Sequence, residues 1–380
     1  MTVEISEQRE APPRQIVSII PGHISQAVSS VFPHTLTLLV TYRCNAKCEQ
    51  CCFESNPTIT ERLSLDQITG HILEAKSNFP ALKLVVFSGG ECFLLKQDLF
   101  KAISFARSHG LMTRCVTNGF WGKTPRVAVR TVKQLISAGL TEINISTGRD
   151  HQQWVPLESV ENAASALIAA GIRTVVTVEA DAVDSECVAH ARDSQVFRRL
   201  LRDRPERFTL QTNIWMPFNA DWQERRTKAA LSDNADEGCG QVFGNTVVTP
   251  HNLLSSCCGL TLEHIPEMKI ADLGKTPLAS GFTAQYEDFL KIWIHVDGPS
   301  KIVRRLFPEN ADQLLGNSMH MCQACAILHK HPQIKEAIKA RYSEFVPDVL
   351  ARFNATIEIQ AALMQKLRAG TNTNDATVQA

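Results

Sequence analysis

Along the first part of the chain, two hydrophobic patterns take turns. Short β-branched and apolar runs (TLTLLVTY, LKLVVF, TRCVTN, EINIS, RTVVTVEA and FTLQTNI) alternate with longer stretches whose apolar residues recur about every 3.6 positions. The longer stretches predict helices over about Leu65 to Phe79, Gln97 to Ser108, Thr124 to Ala138, Leu157 to Ala170 and Ser194 to Leu201. Repeated strand and helix steps predict an α/β fold, a parallel sheet curving into a partial (β/α)6 barrel. Functional groups are then expected on loops at the strands' C-terminal ends. After about Met216 the rhythm breaks. QVFGNTVVTP, HN and LLSSC predict a hairpin, and Phe282 to His295 and Ser300 to Leu306 predict helices. Residues 333 to 369 have helical period, and the final TNTNDATVQA is polar enough to predict a disordered tail. The expected organisation is an N-terminal extension (1–35), the barrel (36–215), a smaller cysteine-rich, helix-poor domain (216–330), C-terminal helices (331–370) and a tail (371–380).

Composition narrows the function. Of 380 residues, 44% are hydrophobic and 21% charged, the balance of an ordinary globular chain. Lys plus Arg and Asp plus Glu are 39 each, so no basic excess argues for a nucleic-acid or anionic-membrane partner. No apolar run reaches the length of a membrane span, and MTVEISEQREAPPRQ has no apolar signal core, which predicts a cytoplasmic protein. Disulfides are rare there, so the 12 cysteines point to metal, redox or catalytic sulfur.

The cysteines form an early and a late group. Cys44, Cys48 and Cys51 make C-x3-C-x2-C in the loop leaving the first strand. Three thiolates can hold three irons of a cubane and leave the fourth for an external ligand. A structural zinc site is the alternative, but it closes with four donors, and Cys52, directly after Cys51, is poorly placed to be the fourth. SGGE (Ser88 to Glu91) and TNG (Thr117 to Gly119) end the second and third strands, and paired glycines let a backbone approach a ligand closely. The late group is Cys239, Cys257, Cys258, Cys322 and Cys325, a set open to zinc or to iron and sulfur. Neighbours in extended chain point to different sides, so Cys257 and Cys258 are not expected to ligate one centre together. Cys115 and Cys187 are expected to pack as small hydrophobes, and Phe120 and Trp121 to pack in the core or rim. Cys92, next to GGE, is a possible functional thiol, and His151 either a loop hydrogen-bonder or a contact to a ligand.

The combination RCNAKCEQC, SGGE, TNGFWG and ISTGRDH resembles the radical S-adenosylmethionine (SAM) superfamily over about residues 36 to 215. The resemblance implies that Cys44, Cys48 and Cys51 bind a [4Fe-4S] cluster whose open iron is chelated by SAM. It implies that Gly89, Gly90 and Glu91 face the methionine ammonium, and that Asn118 and Ser146 meet the ribose or carboxylate. In such enzymes SAM is cleaved to a 5′-deoxyadenosyl radical that takes hydrogen from the substrate. The family also implies a C-terminal twitch or SPASM-like domain with an auxiliary [4Fe-4S] cluster, here held by Cys239, Cys257, Cys322 and Cys325. The opposite assignment of Cys257 and Cys258 stays open.

RCNAKCEQCCF followed by NPT, TNGFWG, the paired cysteines and the late C-x2-C are similar to radical SAM peptide epimerases, over most of residues 40 to 328. That similarity implies removal of a Cα hydrogen from a ribosomally made precursor peptide and its return to the opposite face by the Cys258 thiol. It also implies an electron donor such as flavodoxin or ferredoxin. Some 35 residues precede the first strand, too few for a separate leader-recognition domain. Two alternatives remain: a peptide maturase forming thioether or carbon-carbon links, and a zinc-stabilised binding protein without catalysis.

Overall fold

Strands whose residues alternate between buried and half-buried have two different neighbours. In β3 (Met112–Thr117), β4 (Glu142–Thr147) and β5 (Arg173–Ala180), buried residues alternate with partly covered or exposed ones, except that Glu179 near the end of β5 is buried as well. β1 (Thr35–Thr41), beside β2 (Leu84–Gly89), is buried along nearly its whole length. With β6 (Phe208–Ile214), these strands are parallel neighbours in the order β6-β5-β4-β3-β2-β1. The computed structural model describes residues 22–49, 51–180, 185–214, 237–257, 265–316, 318 and 320–375.

The expected helices lie between the strands: α2 (Leu65–Asn78), α3 (Gln97–Ser108), α4 (Pro125–Ala138), the short α5 (Arg149–Gln152), α6 (Leu157–Ala169), α7 (Glu186–Asp193) and α8 (Gln195–Asp203). Their starts follow local chemistry. Ser64 and Gln67 form a reciprocal capping box on α2, and Thr124 caps α4 ahead of Pro125. The architecture is a mixed α/β fold with a parallel sheet, consistent with a partial barrel followed by C-terminal helices.

The expected hairpin is β7 (Asn245–Val248) and β8 (Leu253–Ser255), and it continues the same sheet. β7 pairs in parallel with β1, with Thr35 opposite Asn245 and Leu38 opposite Val248. β9 (Lys269–Asp272), four half-buried residues too short to read as a pattern, completes a nine-stranded sheet.

Three other elements differ from expectation. α1 (Gly22–Val31) precedes β1 and packs on the long α14 (Pro332–Asp375), with Ile24, Val28 and Val31 buried at helical spacing. The segment expected as one helix from Phe282 to His295 is broken. It comprises α9 (Leu278–Thr283), a 3-10 turn, and α10 (Phe289–Asp297), because Asp288 takes an extended conformation and caps α10 through the Leu290 and Lys291 amides. With α11 (Pro299–Leu306), α12 (Ala311–Leu315) and α13 (Met321–Lys330), the described part of the late cysteine-rich region is mainly helical rather than helix-poor. α14 also runs to Asp375, through the first half of the polar segment expected as a tail, since Thr, Asn and Asp weaken a helix without stopping it. Among the described residues no helix is long and apolar enough to cross a membrane.

Candidate active site

The partly covered Arg114 and Val116 of β3 and Asn144 and Ser146 of β4 face a cavity of about 500 Å3, which residues of β1, β2 and β7 also line. Its upper wall carries Cys44, Cys48, Cys51 and Cys52, and the backbone of Gly89 and Gly90 runs beside them. Asn118, Ser146 and His151 also line it.

The paired glycines serve the protein's own chain first. A Cβ at Gly89 would lie 2.2 Å from the Thr41 carbonyl oxygen, and one at Gly90 would lie 2.4 Å from that of Arg43. The Gly90 amide donates to Thr41 at 2.7 Å and the Glu91 amide to Arg43 at 2.9 Å, so the loop bearing the thiols is docked on the end of β2. Expected as a surface for a ligand, this pair is also the seat of the cysteine loop.

Glu91 is fully buried and is not among the cavity-lining residues. The structure does not aim it at a ligand as the sequence led us to expect. Its carboxylate accepts from the Phe93 amide at 3.0 Å, the Asn118 amide at 2.8 Å and the Thr117 hydroxyl at 2.9 Å, locking the end of β3 to the end of β2. Burial pushes this carboxyl up to about 7 despite those donors.

Burial likewise pushes the Cys44 thiol up to about 12, with the nearby Glu91 and Cys51 adding to it. Cys48 is raised by burial, then by Cys51 and Cys44. Grouped thiols that resist ionisation alone are suited to a cationic centre, which deprotonates the sulfurs it binds. Among the described residues no three Cys, His or carboxylate side chains converge to hold one metal ion. The three thiols instead share the wall of a cavity, an arrangement that fits a cluster offering one iron to each. Cys92 and Cys115 are fully buried, and Cys92 donates to the Val116 carbonyl at 3.3 Å, which makes both packing residues. Cys187 lies on α7. Trp121 is buried and stacks on Phe93 at 5.1 Å. His151 is buried beside Glu179, its Nδ1 3.5 Å from the carboxylate.

Deeper in the cavity lie residues that no motif marked. Asn144 and the Arg114 partner of Glu142 face inward, and Thr37 donates to Asn245 at 2.9 Å, which in turn donates to Gln241 at 3.1 Å. Their signal was present in EINIS, where Glu142, Asn144 and Ser146 recur at the strand period in an otherwise apolar run.

The late cysteines are brought together in part. Cys325 is buried, and after burial its thiol is raised by Cys322 and Cys239, so these three lie close together. Cys322 and Cys325 are one turn apart on α13, where His320 caps the Cys322 amide at 3.1 Å, and the Cys239 amide bonds to Ile294 of α10 at 2.9 Å. Cys257 is buried just after β8. Cys258 lies outside the described residues.

Residues 38–178 match the model of the radical SAM superfamily. The chain carries a radical SAM domain. That family implies SAM and a [4Fe-4S] cluster. The chain is 27% identical over 132 residues to YydG of Bacillus subtilis (strain 168), named as a peptide biosynthesis protein, a match covering 35% of this chain and 41% of YydG. It is 30% identical over 122 residues to MJ1632 of Methanocaldococcus jannaschii, named as a glycyl-radical enzyme activating enzyme, covering 32% of this chain and 46% of the relative. The matches thus span less than half the length of either curated relative. Among solved structures, native anSMEcpe with bound AdoMet superposes with a TM-score of 0.51 at 12% identity, covering 85% of this chain and all of that one, a likeness of fold.

Proposed function

We propose that this radical SAM enzyme acts on a ribosomally made peptide and converts L-residues to D-residues, with Cys258 as hydrogen donor. The observation that carries the reading is that the segment following Cys239 reaches the cavity lined by the early cysteine group. Gly240, next in sequence to Cys239, lines the cavity that also holds Cys44, Cys48 and Cys51. The similarity to YydG, named for peptide biosynthesis, supports a peptide as substrate.

When bound, SAM and its cluster supply a 5′-deoxyadenosyl radical able to take a hydrogen atom from carbon. The protein's own share is to hold the substrate Cα against that position and to keep water out of a largely buried site. Cys44, Cys48 and Cys51 hold the cluster, and Gly89, Gly90 and Ser146 flank the SAM position. Cys239, Cys257, Cys322 and Cys325 hold an auxiliary [4Fe-4S] cluster. An unligated thiol retains a hydrogen to give, whereas a metal-bound thiolate has none. Cys258 therefore returns a hydrogen atom to the face opposite the one attacked, and an external electron donor such as ferredoxin or flavodoxin, with one proton, restores its thiol.

The test uses the anaerobically reconstituted protein and its precursor peptide in deuterated solvent. Inversion adds deuterium at each converted Cα, while a cross-link removes a pair of hydrogens from the peptide. Cys258→Ala is expected to keep forming 5′-deoxyadenosine while yielding no D-residue. Normal epimerisation by that variant would transfer the donor's role to another thiol.

A further inference from the structure

Asn118 was expected to meet the ribose or carboxylate of SAM, but its amide is engaged elsewhere. The Phe120 backbone amide donates to Asn118 Oδ1 at 3.1 Å, which fixes the orientation of the side chain, because only its oxygen can accept there. The opposite end, Nδ2, therefore carries two hydrogens toward the cysteine loop. One reaches Asn45 Oδ1 at 2.9 Å and the other reaches Cys44 Sγ at 3.7 Å. The Ala46 backbone amide reaches the same sulfur at 3.4 Å.

This arm is firmly held. The Asn118 backbone amide bonds to the buried Glu91 at 2.8 Å, and Thr117, the preceding residue, donates to the same carboxylate. Thr117 Oγ1 also accepts from Gly119 at 3.1 Å and from the Trp121 indole at 3.3 Å. The ends of β2 and β3 are tied into one block that presents a neutral donor to a sulfur on the cavity wall.

We propose that Asn118 is a positioning residue that donates its side-chain amide hydrogen to the Cys44 thiolate and so raises the reduction potential of the cluster bound there. Hydrogen bonds to ligand sulfur are one of the determinants of cluster potential. The sulfur gains negative charge when the cluster accepts an electron, so a fixed donor favours the reduced state. The proposal rests on the reading of Cys44, Cys48 and Cys51 as cluster ligands.

Asn118→Leu and Asn118→Ala both remove the donor, the first with the same branched heavy-atom skeleton though a larger volume, and the second without any risk of a clash. The reduction potential of each reconstituted full-length protein is read by redox titration followed by electron paramagnetic resonance, beside iron content and melting temperature. At a fixed ambient potential the ratio of reduced to oxidised cluster should fall roughly tenfold, about 59 mV for one electron, with iron content retained. An unchanged potential in either variant overturns the proposal. Wild-type protein that assembles no cluster overturns the ligand reading and this proposal together. Should both variants lose their iron, wild-type protein labelled with 15N in its asparagine side chains decides the matter. Pulsed resonance of the reduced cluster should then show coupling to an amide nitrogen, and its absence overturns the proposal.

Discussion

Gly90 carries more structural consequence than its size indicates. The Arg43 oxygen sits 2.4 Å from where its Cβ would be, and the loop it supports bears Cys44, Cys48 and Cys51. Gly90→Ala is therefore expected to lift that loop, costing about 1–3 kcal/mol and most of the iron taken up on reconstitution. Gly70 in α2 is the control. Nothing lies within 4 Å of a Cβ there, and Gly70→Ala should stabilise by about 0.5–1 kcal/mol. Thermal melts with iron analysis check both, and equal iron in the two variants would remove the docking argument. The motif residues were thus legible in the sequence, while part of their work was not. Glycine signals close approach without saying by what, and Glu91 in GGE gives no sign that its carboxylate faces Phe93, Thr117 and Asn118 rather than the cavity.

Elements were legible where one strand or helix has a single strong period and were lost where a contact distant in sequence decides. Asp297 at the end of α10 is the clearest case. Fully buried, it accepts from Trp293 Nε1 at 3.0 Å, Arg305 at 2.6 Å and Arg352 at 2.7 Å, and pairs with Lys301 at 3.1 Å, joining α10, α11 and α14. No local pattern links Asp297 to Arg352. Burial alone would raise this carboxyl, but the Arg352, Arg305, Lys301 and Trp293 donors outweigh it and hold it well below the usual carboxylate range. A carboxyl depressed by folding contributes stability above its unfolded value and loses it as pH falls toward its folded value. The wild-type melting temperature should thus fall steeply below about pH 4. Asp297→Asn should be less steep there and, at neutral pH, be destabilised by about 1–3 kcal/mol, because it weakens charge-assisted hydrogen bonds to the partly exposed Arg305, Arg352 and Lys301. Denaturant melts at neutral and acid pH measure both effects, and identical pH profiles would refute the assignment.

The molecule as a whole closes its cavity with a strand from outside the six-strand pattern. β1 pairs with β2 on one side and β7 on the other, and residues just before β7 (Gly240, Gln241 and Gly244) form part of the cavity wall. α1 in turn rests on α14, so the chain's first and last described helices cover each other. Sequence rhythm places a boundary near residue 215, where the strand and helix alternation stops, but it carries no record of pairing between strands some 200 residues apart. A chain ending at Ile214 would retain the Cys44, Cys48 and Cys51 motif and every loop that follows the first five strands. It would also leave the Thr35 to Leu38 backbone as an unpaired edge, open the cavity to water and strip the apolar face of α1. We expect that fragment to aggregate or to melt without a cooperative transition, and to bind little iron although all three thiols are present. Calorimetry and iron analysis of the fragment beside the full chain test this. A fragment with a sharp transition and full iron content would mean that the six-strand unit closes its own site, and that β7 serves only to attach the second cysteine group.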